Sequence, residues 1–184
     1  MGFDLHGRKP KLAGERPEID WSENPSEEKR QQYYMDINTW EEHNPGYYFR
    51  NNVWSWRPLW AYICQEVAPD ILTKEDMKHG EYNDGHCINA IKANYIADKI
   101  EKLDAAGELK AFEKKYKANL DALPKEKCEH CNGSGVRDDQ HVQGKCNACE
   151  NGMKDPWAKS YPFSADNVRD FAKFSRSSGG FEIS

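Results

Sequence analysis

The chain has 184 residues, of which 38% are hydrophobic and 31% charged, with a net charge of -5 and a mean hydropathy of -0.99. This length gives one ordinary domain, or a domain with a small appendage, able to bury a core without disulfide staples. The acidic balance (pI near 5.7) argues against a protein that coats nucleic acid or an anionic membrane, and no apolar stretch approaches the length of a membrane span.

MGFDLHGRKP at the start lacks the apolar run of a signal peptide, so a cytoplasmic location is expected. GFDLHG (2–7) alternates and predicts a short strand. Residues 8–46 are rich in Pro, Glu, Lys, Asn and Gln and read as an excursion rather than core, with a helical piece capped by Ser26. Pro45-Gly46 marks a turn, after which GYYFRNNV reads as a second strand. Pro58 suits a first helical position, predicting a helix to about Ala68. Asn83-Asp84-Gly85 is a turn. Ile88, Ile91, Tyr95, Ile96, Ile100 and Leu103 form one helical stripe, and Leu109, Phe112, Tyr116, Leu120 and Leu123 another. Ser164 caps a last helix bearing Val168, Phe171, Ala172 and Phe174, and Phe181–Ser184 is a short strand expected to pair with an N-terminal one. The expected fold is α+β: a small antiparallel or mixed sheet covered by helices, one domain over 1–184, with an inserted metal hairpin at 125–155.

That hairpin follows from Cys128-Glu-His-Cys131 and Cys146-Asn-Ala-Cys149. Two residues between thiolates let both sulfurs of a tight turn face one ion, and two such turns supply the tetrahedral four-sulfur cage that zinc prefers. Glycines follow closely (Gly133, Gly135, Gly152) where the backbone must turn sharply. One structural Zn²⁺ on Cys128, Cys131, Cys146 and Cys149 is the expected cofactor; four sulfurs leave no place for a reactive water. His130 and His141 are alternative ligands. Cys64 and Cys87 read as small core residues.

Cys128-Glu-His-Cys131-Asn-Gly133-Ser-Gly135 resembles the CxxCxGxG repeat of DnaJ-type chaperone zinc regions. The second half shifts its glycine by one place and there is no His-Pro-Asp signature, so the resemblance implies a zinc hairpin without a J domain. MGFDLHGRKP, YYFRNNVWSWRPLW, Asn83-Asp-Gly, the first knuckle and YPFSADNVRDFAKFSRSSGGF together resemble a family of small phage and prophage proteins. Members of that family link the first strand to the tryptophan motif more tightly, which marks 11–44 as an insertion. The resemblance implies a phage-encoded accessory protein of the host cytoplasm.

FRNNVWSWRPLW (49–60) concentrates tryptophans beside arginines. Its plain reading is a strand feeding a helix, with the rings in the core. The sharper one places Asn52, Trp54 and Trp56 on a single strand face, where indoles stack on a flat group, arginines meet an anion and asparagines read a base edge. Arg50, Asn51, Asn52, Trp54, Trp56 and Arg57 are therefore the candidate ligand residues, and the leading expectation is a non-enzymatic protein binding a small nucleotide-like or anionic ligand, sequestering a host immune signal. The alternative is an adaptor that binds a host protein or single-stranded nucleic acid through the zinc hairpin or residues 11–44. A hydrolase using His6, Asp84 or His86 is the third reading. No P-loop, GxSxG, HExxH or kinase signature demands an enzyme.

Overall fold

A computed structural model describes residues 2–184. In chain order the elements are β1 (Gly2–Gly7), α1 (Glu27–His43), β2 (Tyr48–Asn52), α2 (Val53–Tyr62), α3 (Lys74–His79), β3 (His86–Asn89), α4 (Ala90–Ala105), α5 (Glu108–Asp121), β4 (Glu126–Lys127), β5 (Val136–Asp138), β6 (Gln143–Lys145), β7 (Met153–Lys154), α6 (Ala165–Ser177) and β8 (Gly180–Ile183). The fold is α+β, as the sequence suggested, and divides into two compact units: Met1–Lys110 with Ser164–Ser184, and Ala111–Phe163. Among the described residues no helix is long and apolar enough to cross a membrane.

The first unit is built on a four-stranded antiparallel sheet in the order β2-β1-β8-β3. The expected pairing of the two chain ends is present, with Leu5 opposite Ile183 and Gly7 opposite Phe181. Alternation sends Phe3, Leu5, Ile88, Phe181 and Ile183 to one face, where all are buried. α2, α4 and α6 cover that face. Ser164 caps α6 by accepting from the Asn167 amide, and Val168, Phe171, Ala172 and Ser175 then recur at helical spacing on its buried side. Phe171 and Phe174 meet Phe49 and Phe181 at centroid distances of 5.5 to 5.6 Å.

Three local readings are corrected. The helix expected to begin at Pro58 begins at Val53, because the Asn52 side chain accepts from the Ser55 amide at 2.9 Å and caps it there. Pro58 lies inside α2, where it gives up one amide hydrogen, and the helix runs on into a π turn over Ile63–Val67. Ile88 does not open the next helix. It sits in β3 opposite Phe181, and Asn89 caps α4 by accepting from the Lys92 amide at 3.0 Å, which leaves Ile91 exposed. Residues 8–46 are also less peripheral than their composition suggests. Ser26 does cap α1, but Ile37 and Trp40 are buried, and buried Asn44 exchanges hydrogen bonds with the Ala13 backbone at 2.6 and 3.1 Å. The segment closes so tightly that a Cβ on Gly7 would lie 1.9 Å from the Gly46 carbonyl oxygen.

A polar tie holds the sheet edge. Asp76, buried at the third position of α3, completes a capping box with Thr73 and accepts from Lys92 Nζ at 2.5 Å and His86 Nε2 at 2.9 Å. Burial alone would raise this carboxyl; hydrogen bonds from Lys92, His86 and Thr73 outweigh it and hold it well below the usual carboxylate range. A carboxyl depressed in the folded state contributes stability above its unfolded value near 4, and that contribution is lost as pH falls below it. Asp76→Asn is therefore expected to cost about 2 kcal/mol at neutral pH. Urea unfolding followed by circular dichroism should show the gap between wild type and variant narrowing from pH 5 to about pH 3; a gap independent of pH would contradict this assignment.

Candidate functional site

The second unit brings the four sulfurs of its two CxxC pairs together. Each CxxC knuckle lies between short strands: β4 pairs β7, and β5 pairs β6. The knuckles interlock, since the Cys128 amide donates to the Gly152 carbonyl and the Cys146 amide to the Gly135 carbonyl, both at 2.8 Å. An Asn-Gly pair in the left-handed region turns each knuckle, Asn132-Gly133 in one and Asn151-Gly152 in the other. The sequence offset of the second glycine is thus absorbed by the intervening Glu150. Gly152 has no substitute: φ is +86°, and a Cβ would stand 2.1 Å from the Gly133 carbonyl oxygen.

All four Sγ atoms lie within 4.8 Å of one another, with Cys128 and Cys146 4.0 Å apart and Cys131 and Cys149 3.6 Å apart. A tetrahedral ion with metal–sulfur bonds of about 2.3 Å requires sulfur–sulfur edges of about 3.8 Å. The cage therefore fits one metal ion. Cys128, Cys131 and Cys146 are buried and Cys149 is half-buried. The Gly135 amide donates to Cys131 Sγ at 3.3 Å; against the upward push of burial, this bond and the neighbouring thiols bring Cys131 down to about 6. His130 and His141 are exposed and stand outside the sulfur set.

The six residues proposed from FRNNVWSWRPLW do not line one surface. Because the strand ends at Asn52, Trp54 and Trp56 are helical, and the tryptophan face expected from strand alternation does not form. Trp56 is fully buried, stacked between Phe3 at 5.3 Å and Trp60 at 5.4 Å, and its Nε1 donates to the Gly80 carbonyl at 2.7 Å. Asn51 is buried and donates to Asn167 Oδ1 at 2.9 Å, while Asn52 is engaged as the α2 cap. Trp54 is half-buried. Arg50 lies on the outer face of the sheet, 3.6 Å from Asp4, whereas Arg57 borders a cleft of about 310 Å³ together with Trp56, Trp60, Glu81 and Tyr82, so that two of the six residues meet there.

The Asp84 and His86 side chains do not pair with each other either. Asp84 accepts from His79 Nδ1 at 2.5 Å, His86 bonds Asp76, and the two imidazoles stack at 5.0 Å. Asp76, His79 and Lys92 escaped sequence reasoning because two helices from separate stretches, α3 and α4, bring them together around His86 of β3, with no local motif to mark them. His6 is exposed on the outer sheet face, beside Tyr48. Cys64 and Cys87 are half-buried, and burial pushes the Cys64 thiol up to about 12. No family model matches the chain, and neither does any curated protein or solved structure.

Proposed function

We propose that this is a non-catalytic adaptor, phage-encoded, in which one structural zinc ion folds the 125–155 hairpin and residues 11–44 dock a basic surface of a host protein. The observation that supports docking is an aromatic cluster left at the surface. Trp21, Tyr33 and Tyr34 pack on one another at 5.6 to 6.3 Å, yet Trp21 is 50% exposed, Tyr34 54% and the adjacent Met35 57%. α1 buries Ile37 and Trp40, while Tyr34 and Met35 stay open to solvent. Rigid aromatic anchors of this kind dominate protein interfaces, and exposed apolar clusters mark them.

Charge selects the partner. Residues 11–44 carry nine acidic against four basic side chains, an excess of five that equals the net charge of the whole chain. Such a face attracts a basic protein patch, whose arginines also stack on the rings, and it repels a nucleic-acid backbone. Zinc is the ion that matches an all-thiolate, tetrahedral cage. Ligand capture through the six residues around Trp56 has less support, because Asn51 and Trp56 belong to the core.

A photo-crosslinking side chain at Tyr34, compared with one at exposed Lys173, tests the docking reading in host cytoplasm. A protein captured only from Tyr34 should bind the purified chain, and Trp21→Ala with Tyr34→Ala should weaken that binding by tenfold or more, about 1.4 kcal/mol. Equal capture from both positions, or affinity unchanged in the double variant, would dismiss it.

A further inference from the structure

We infer that the outer face of the sheet holds a binding cleft for a nucleoside 5′-phosphate, built from residues separate from the docking cluster. Asp4 and His6 point outward from β1, and the register sets them opposite Arg50 and Tyr48 of β2. Arg16 and Glu41 of the excursion and Ser184 complete the wall of a cleft of about 470 Å³, a size ordinary for a small-molecule site.

Its groups are distributed as a nucleotide requires. His6 and Tyr48 form a ring floor with centroids 5.2 Å apart, tilted by 38°, on which a base can stack. The floor is fixed in place: the Tyr48 hydroxyl donates to the Asp4 carboxylate, which also faces Arg50 Nε at 3.6 Å. Burial, then the hydrogen bond and charge of Asp4, push the phenol up to about 12, so it remains a donor at every physiological pH. The Arg16 guanidinium, part of the cleft wall, lies 5.7 Å from the Tyr47 ring centroid, where it can meet a phosphate. Glu41, half-buried in the wall, offers two acceptors to sugar hydroxyls. A bare anion fits poorly, because two carboxylates share the cleft; a bare cation fits poorly because of the arginine. A molecule with its phosphate at one end and a neutral, donor-rich sugar and flat base at the other satisfies both.

The test is an amide-resolved NMR titration of the full chain with the four common ribonucleoside 5′-monophosphates, adenosine and inorganic phosphate. At least one monophosphate should bind with a submillimolar Kd and shift the amides of Asp4, His6 and Tyr48. Arg16→Ala and His6→Ala, both at exposed positions, should each weaken it by roughly tenfold or more. Adenosine and phosphate alone should bind at least as much more weakly. No shift at about 1 mM of any monophosphate, shifts that map elsewhere, binding indifferent to Arg16→Ala, or phosphate binding as tightly as the nucleotide would each overturn the assignment.

Discussion

Stripping the metal from the second unit is expected to unfold the hairpin while the sheet unit stays intact. Between Lys125 and Asp155 the buried side chains are three cysteines; no buried Leu, Ile, Val or Phe supports them. The strands there are two or three residues long, and isolated hairpins of that size are marginal in water. Surface ion pairs such as Lys125–Glu150 and Lys154–Glu129 cannot make up the difference. A structural thiolate site contributes on the order of 10–16 kcal/mol of apparent binding free energy, which is far more than anything else in this segment.

A chelator, or Cys128→Ser, should therefore collapse the amide resonances of 125–155 toward random-coil positions and abolish hydrogen-exchange protection at Cys128 and Cys146. The resonances of Leu5, Ile88 and Phe181 should persist, since their core is built from Trp56, Trp60, Phe171 and Phe174. Native mass spectrometry should find one zinc per chain before treatment and none after. Protection that survives chelation would mean the knuckles are held by their backbone bonds alone, and the structural role of the metal would be lost.

The four-sulfur cage was legible because its chemistry is local: the CxxC spacing, the glycines and four identical side chains determine its geometry almost without tertiary context. β1, β8 and α6 were legible for a similar reason, as alternation or helical spacing survives intact in GFDLHG, FEIS and residues 164–177. The failures occur where a side-chain cap overrides a pattern. VWSW looks like strand by propensity, but Asn52 turns the chain into a helix that places Trp56 and Trp60 on one buried side. Ile88 continues the stripe of α4 so well that only the Asn89 cap separates strand from helix. The cleft on the outer sheet face left no trace in the sequence, because Asp4, Arg16, Glu41 and Ser184 become neighbours only through pairing of the chain ends and closure of the 11–44 segment.

Trp56→Ala is expected to destabilise the first unit by about 3–5 kcal/mol, the usual cost of removing a fully buried large ring. The side chain touches Phe3, Trp60 and the edge of Phe171, so its loss opens a cavity against three rings that cannot all collapse into it. Its Nε1 is also the donor to the Gly80 carbonyl, and Trp56→Phe, which keeps an aromatic ring but removes that donor, should cost about 1–3 kcal/mol. Against a total stability of about 5–15 kcal/mol, the alanine variant should melt roughly 10 °C or more below wild type. Ile91→Ala supplies the contrast: at 75% exposure it should change stability by no more than about 0.5 kcal/mol, although the helical stripe had placed it with the core. Far-UV circular dichroism with urea separates the cases without relying on tryptophan emission. If Trp56→Ala instead held its stability within about 1 kcal/mol of wild type, the ring could not be the packed centre of α2, and the tryptophan motif would again be free to serve as a ligand surface.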